Sequence, residues 1–328
     1  MNFFVSFIIF IIILFLYLHL VSQYKRSEDM EIYEMDYSTN KQLQEVCNVK
    51  QPILFEMQSS APEFFDVVSS KIKNEELTHD VKLKDTHDYF HERAEHKTSS
   101  VDYIVLPFQS AHKLMKTDSN AHFFIENNND FLDESGIYNN LRGLDTFLKP
   151  DLIAQTKYDI CLGSKNTATP LRYHTHYRQF YVVATGKIHV KMTPWKSSKY
   201  VHPIKDYENY EFRSPVNVWN PQQKYLHDMD KTRFLEFDVH AGYVLYIPPY
   251  WWYSIKYSIE ENTTLCGFTY NSPMNILSNI PDWALYFIQQ QNLTKKTVKT
   301  LKTDESETSP NNENIEKNEL SEAKSVGL

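Results

Sequence analysis

Glycine is scarce in this chain, at 7 residues in 328. Glycine-rich phosphate cradles are thereby excluded, and neither GxGxxG nor GxxxxGK[ST] occurs anywhere. Cysteine is rarer still. Cys47, Cys161 and Cys266 are odd in number and far apart, which is neither a disulfide framework nor a zinc-ligand spacing. They read as small buried hydrophobes. Positive charge is not in excess: 34 Lys and Arg stand against 42 Asp and Glu, a net charge of −8. General nucleic-acid binding needs clustered cations to neutralise phosphates, so no nucleic-acid partner is expected. A Gly-x-Ser-x-Gly nucleophile elbow is also missing.

What is present begins with one long apolar run. Phe3 to Val21 is interrupted only by Ser6, Tyr17 and His19. At ~1.5 Å per residue, such a run as a helix crosses a ~30 Å hydrocarbon layer. No basic side chain precedes it and Leu20 is a poor cleavage-site residue, so residues 1–21 read as an uncleaved, single-pass transmembrane anchor. Lys25 and Arg26 follow directly, which favours a cytosolic domain beyond the membrane. Residues 22–49 read as a polar, partly helical stalk, and residues 50–293 as a globular domain. Residues 294–328, rich in Lys, Thr, Ser, Glu and Asn, have too little apolar surface to order and read as a disordered tail.

Within the domain, short β-branched and aromatic runs alternate with turn residues. Ile53–Phe55, Val101–Leu106, Tyr158–Leu162, Gln179–Ala184, Lys187–Met192, Tyr243–Ile247 and Thr264–Tyr270 predict strands. Leu141–Leu152 and Pro281–Gln291 predict helices. Many strands and few long helices give a mainly β barrel or sandwich with helices gathered on the amino-terminal side.

Three blocks then stand out in order. Thr169-Pro170-Leu171 leads through His174-Thr175-His176 to Gly186-Lys187; Asn217 to Tyr225 contains Asn220-Pro221; and Gly242 runs to Trp251-Trp252-Tyr253. Together they resemble the cupin-like, jumonji-C-related hydroxylase family over roughly residues 50–290. The resemblance implies a double-stranded β-helix with flanking helices. It also implies an iron site of three ligands: a His, an Asp or Glu two residues later, and a distant His, with open positions for 2-oxoglutarate and oxygen.

The ligand pattern itself is broken here. Counting back from Gly186 puts the first pair at Tyr173 and Thr175, while counting forward from Thr169 puts it at Arg172 and His174. The distant histidine falls on Tyr253 in either case. The lysine that the resemblance assigns to 2-oxoglutarate falls on Ile188, one residue past Lys187. Side chains alternate faces along a strand, so the register decides which set points inward. In the first register Tyr173, Thr175, Gln179 and Tyr253 line the cavity, and His174 and His176 face out. A β-bulge would instead turn His174 and His176 inward as a metal-binding pair completed by Gln179 or Tyr253. Thr169 and Lys187 are the candidates on the cofactor side. Trp195, Tyr250, Trp251 and Trp252 read as aromatics closing a barrel end.

These readings assign no catalytic residue. They describe a membrane-anchored, non-catalytic cupin-like or jumonji-C protein that binds or scaffolds a protein or peptide and uses no cofactor. Two alternatives stay open: an Fe(II)- and 2-oxoglutarate-dependent hydroxylase with rearranged ligands, and a metal-binding cupin that is not an oxygenase.

Overall fold

The structure, a computed structural model, describes residues 3–73, 77–90, 101–260 and 262–291. The segment expected to be a disordered tail lies outside these residues. Two sheets face each other. The larger has nine strands in the spatial order Tyr33–Met35, Ile53–Glu56, Tyr243–Ile247, Arg178–Thr185, Thr264–Asn271, Gln155–Gly163, Phe123–Ile125, Asp80–Asp85 and Ile104–Pro107. The smaller has six: Ile204–Asp206, Glu211–Arg213, Arg172–Tyr173, Trp252–Tyr257, Lys187–Thr193 and Leu235–His240. Apart from the short parallel pair at the edge, Tyr33–Met35 on Ile53–Glu56, all pairings are antiparallel.

Alternation along the strands sorts the core into compartments. On Arg178–Thr185, Tyr181 and Val183 enter the space between the sheets, while Phe180, Val182 and Ala184 enter a second core under the helices. Both faces are covered, which is why this strand carries apolar side chains almost continuously. Lys187–Thr193 has one face inside: Ile188, Val190 and Met192 are buried between the sheets, and Lys187, His189 and Lys191 stay half-buried outside. The interior of the barrel is therefore packed with aliphatics, including Val183, Val190, Leu245, Ile255 and Leu265. A third cluster, around Tyr173, Phe212, Tyr250 and Trp252, closes the outer side of the smaller sheet.

All seven expected runs form strands, with ends moved by a few residues. The expected helix over 141–152 is two short helices, Ile137–Arg142 and Asp145–Leu148, and the last helix spans Ile280–Gln291. The segment expected as a stalk is largely folded onto the domain. Tyr33–Met35 joins the sheet, and Asn40–Cys47 forms a helix whose N-cap Thr39 accepts from the Gln42 amide at 3.3 Å. That helix buries Leu43 and Cys47. All three cysteines are buried and free.

Phe3–Gln23 is a single helix of 21 residues, apolar along nearly its whole length and with no buried residue. Its length and composition suffice to cross a membrane. Where it ends, the ammonium of Lys50 donates to the carbonyls of Ser22, Gln23 and Lys25 at 2.8–3.1 Å. The last carbonyls of a helix lack internal partners, and a cation there also meets the negative end of the helix dipole. Arg26 is held between the rings of Trp195 and Tyr250, its guanidinium carbon 4.2 and 4.3 Å from their centres.

Candidate functional site

The site is assembled between Arg172 and Tyr253 of the smaller sheet and Gln179 and Tyr181 of the larger. Arg172 and Tyr253 are direct cross-strand partners in the smaller sheet. The Arg172 guanidinium lies 5.5 Å from the centre of the Tyr253 ring, and the His174 ring lies 6.3 Å from it on another side. From the larger sheet, Gln179 Nε2 donates to Tyr181 Oη at 2.8 Å and to Tyr253 Oη at 3.2 Å, and the two hydroxyls are 3.3 Å apart. Arg172 and His174, the pair counted forward from Thr169, thus both lie beside Tyr253.

A backward count fails for a physical reason. Arg172–Tyr173 belongs to the smaller sheet and Arg178–Thr185 to the larger, and the chain between them is not a strand. Alternation cannot be propagated across such a gap. It holds for Gln179 and Tyr181. It does not extend to Tyr173, which stacks on Phe212 at 5.1 Å and meets Trp252 at 4.8 Å on the outer side of the smaller sheet. Thr175 is buried beside the C-terminal helices, its carbonyl accepting from Asn275 at 2.9 Å and Asn279 at 3.3 Å. The register shift that does occur lies at Thr264/Leu265, away from the histidines.

His174 is buried with both ring nitrogens engaged. Nε2 donates to the Ile247 carbonyl at 3.0 Å, and Nδ1 accepts from the His176 amide at 3.2 Å. A carbonyl only accepts and an amide only donates, so this pairing fixes the tautomer. Burial, and then the neighbouring His176, push its imidazole well below the ordinary histidine value, which keeps it neutral. His176 donates from Nδ1 to Asn271 Oδ1 at 3.1 Å; burial and the ammonium of Lys157 lower it to about 4. The Tyr250 amide in turn donates to the His174 carbonyl at 2.9 Å. Tyr250 sits at φ 66°, a left-handed conformation costly for a bulky residue, so this turn is locked by its neighbours.

The feature no motif disclosed is a buried ion cluster. Both terminal nitrogens of Arg172 grip the two carboxylate oxygens of Glu126 as a fork, and Lys84 reaches Glu126 Oε1 at 2.9 Å. Glu211 lies 3.5 Å from Arg172, and the Tyr89 hydroxyl donates to Glu211 at 3.4 Å. Burial works to raise the Glu126 carboxyl, but the opposing pull of Arg172 and Lys84 wins and holds it well below the usual carboxylate range. Glu126 is 46 residues from Arg172 in sequence and 42 from Lys84, so sequence spacing gave no signal.

Thr169 and Lys187 are occupied elsewhere. The Thr169 hydroxyl accepts the Ile255 amide at 3.0 Å, and its backbone amide donates to the Ile255 carbonyl at 2.8 Å. Lys187 lies on the outer face, 3.7 Å from Asp238, and the position one residue on is the buried, apolar Ile188.

These side chains do not fit an iron centre. Two of the three converging positions carry a guanidinium and a phenol, and the third is an imidazole with no free lone pair. A guanidinium cannot ligate a cation and a neutral phenol is a weak ligand for iron. Among the described residues, no group of three or more His, Cys, Asp or Glu is placed to hold a metal. What the arrangement does offer is two buried polar atoms without partners among the described residues, Gln179 Oε1 and Arg172 Nε. One accepts and one donates.

Comparison with known proteins agrees with this architecture. A family model described as a cupin-like domain matches residues 40–280. A stretch of 95 residues, 29% of this chain, is 30% identical to the JmjC domain-containing protein D of Dictyostelium discoideum. The matched stretch spans 21% of that protein, about a fifth of its length.

Proposed function

The chain belongs to the cupin-like domain family, and from that premise we propose that it is a membrane-tethered, non-catalytic member that works by binding. One observation carries this reading: Arg172, which the count forward from Thr169 sets at the first ligand position implied by the resemblance, is tied up in a buried ion pair with Glu126. The cation is supplied permanently by the protein. Its counter-ion is buried with it, so the site is electrically complete without a metal.

Binding follows from what remains. Gln179 Oε1, an acceptor, and Arg172 Nε, a donor, are buried without partners among the described residues, so a small polar group that reached them would find both kinds of hydrogen bond. The partner is proposed to be a protein or peptide presented at the membrane surface. Phe3–Gln23 supplies the tether, and Lys25 with Arg26 orients the domain to the cytosol.

The test is metal content and turnover on the full chain in detergent. After loading with Fe(II) or Mn(II), elemental analysis is expected to find far less than one ion per chain. Added 2-oxoglutarate is expected neither to raise the melting temperature nor to be decarboxylated. Stoichiometric metal lost in His174→Ala and His176→Ala would overturn the reading in favour of a rearranged metal site, and 2-oxoglutarate turnover would restore the hydroxylase.

A further inference from the structure

The C-terminal helix is amphipathic in the wrong sense for a water-facing helix. In Ile280–Gln291 the side chains turned toward the domain include the polar ones. Asp282 accepts from the Tyr207 hydroxyl at 2.7 Å and from Lys205 at 3.2 Å, and Gln290 Nε2 donates to the Glu208 carbonyl at 2.7 Å. Trp283 stacks on Tyr210 with ring centres 4.6 Å apart. The opposite face carries Leu285, Phe287 and Ile288, which are 46%, 60% and 56% exposed, and Leu277 and Ile280 continue it onto the preceding turn. No charged residue lies on that outward face. Several exposed apolar side chains on a helix whose Asp282 and Gln290 are held by the domain mark an interaction surface.

The position of this patch identifies its occupant. Helix Phe3–Gln23 packs against helix Pro273–Ser278, and the Tyr24 hydroxyl donates to the Ser278 carbonyl just where the apolar span ends. The clamp formed by Lys50 and Arg26 fixes that exit point to the domain. The patch therefore sits beside the end of the span, at the depth where a bilayer changes from acyl chain to headgroup. Tyr24 lies there as well, a residue type that favours this boundary.

We propose that the outward face of Ile280–Gln291, with Leu277, lies in the lipid headgroup–acyl boundary of the leaflet from which the N-terminal helix emerges. The domain is then seated on the membrane at two points and held in one orientation. The described residues of this face include no cation, so its own contribution to binding is apolar rather than electrostatic. This inference rests on the anchor reading given above.

The experiment uses the full chain in phosphatidylcholine nanodiscs. The three native cysteines are buried, so an added one is labelled selectively with an environment-sensitive fluorophore. Ile288→Cys tests the patch and Ile12→Cys tests the anchor. The expected result is a blue-shifted Ile288→Cys label, quenched severalfold more by brominated acyl chains than by aqueous iodide. Iodide quenching at position 288 with lipid quenching at position 12 overturns the inference and leaves the anchor standing. Iodide quenching at both removes the anchor and the inference with it. Shielding from both quenchers together with a disulfide between two chains at Ile288→Cys assigns the face to a second copy and likewise overturns the proposal.

Discussion

Arg172 and Tyr253 face each other across adjacent strands, with the guanidinium 5.5 Å from the centre of the phenol ring. The two positions are far apart in sequence, yet the fold brings them into register and adds His174 beside them. The scaffold thus sets three side chains from two separate stretches of sequence around the Tyr253 ring. Their chemistry is that of a guanidinium, an imidazole and a phenol, and the charged member is answered by a buried partner. A cation at position 172 would be intolerable if buried alone, and Glu126 answers it.

Removing that answer is expected to be severe. Glu126→Gln keeps the shape but leaves Arg172 and Lys84 as two buried cations with Glu211 as the remaining neighbour of Arg172. Breaking a buried pair from one side typically costs about 3–5 kcal/mol. Chemical denaturation of the variant and its parent, compared at the same pH, measures the loss. A change below about 1 kcal/mol would mean that the cluster is hydrated.

Acid acts on the same region in two stages. The folded-state value of His176, about 4, is below the ordinary 6.5, and that of His174 is lowered too. The unfolded chain therefore binds protons first, so stability is full above pH 6.5 and falls as pH drops toward 4. Glu126 is also depressed, so its contribution is present above the ordinary carboxylate value of 4.5 and is lost below it. Melting temperature against pH is expected to slope down from about pH 7 to about 4, with a flatter slope in His176→Asn and a second, steeper fall below about pH 4.5.

The barrel was legible because strand periodicity and three ordered blocks are local properties of the sequence. Gln179, Tyr181 and Tyr253 were in reach for the same reason: they lie on strands whose alternation can be counted from Gly186 or from the paired tryptophans. Tyr173 and Thr175 fell out of that count where the chain leaves one sheet for the other, a switch with no strong turn residue to announce it. Glu126, Lys84 and Glu211 were invisible because buried charge pairs are made by tertiary contact and carry no spacing rule. The segment 22–49 looked like a stalk for its polarity, while Leu43 and Cys47, too few to register as a pattern, carry its docking.

Gly186 gives a sharper test of the turn between Arg178–Thr185 and Lys187–Thr193. Its φ is +74°, and a Cβ there would fall 2.5 Å from Thr263 Oγ1 and 2.9 Å from the Asn262 carbonyl. Gly186→Ala meets both backbone strain and a steric clash, and a loss of about 1–3 kcal/mol is expected. Equal melting temperatures would show that the turn relaxes freely.

The clamp on the N-terminal helix is open to proteolysis. Lys50→Met removes three charge-assisted hydrogen bonds to the carbonyls of Ser22, Gln23 and Lys25. At roughly 1.5–3 kcal/mol for hydrogen bonds to a charged group, local opening of that segment should become about 10- to 100-fold more frequent. Tryptic cleavage at Lys25 and Arg26 in micelles is expected to accelerate accordingly, while cleavage elsewhere in the domain stays at the parent rate.

If the fold still converges the three positions, restoring ligands there should restore metal binding. Arg172→His, His174→Asp and Tyr253→His together write the family's pattern back onto this scaffold. Glu126→Gln must accompany them, because with Arg172 gone its carboxylate would stay buried with Lys84 alone. Lys84 then becomes the weak point, a buried cation without its partner, and Lys84→Met removes it. The fivefold variant is expected to take up close to one Mn(II) or Fe(II) per chain and to melt higher with the metal than without it. A control that carries His174→Ala instead of His174→Asp, with the other four substitutions kept, should lose most of that uptake, since two imidazoles alone leave the facial set incomplete. Uptake equal in the two variants would place the metal elsewhere, and the convergence of Arg172, His174 and Tyr253 would then be a matter of packing alone.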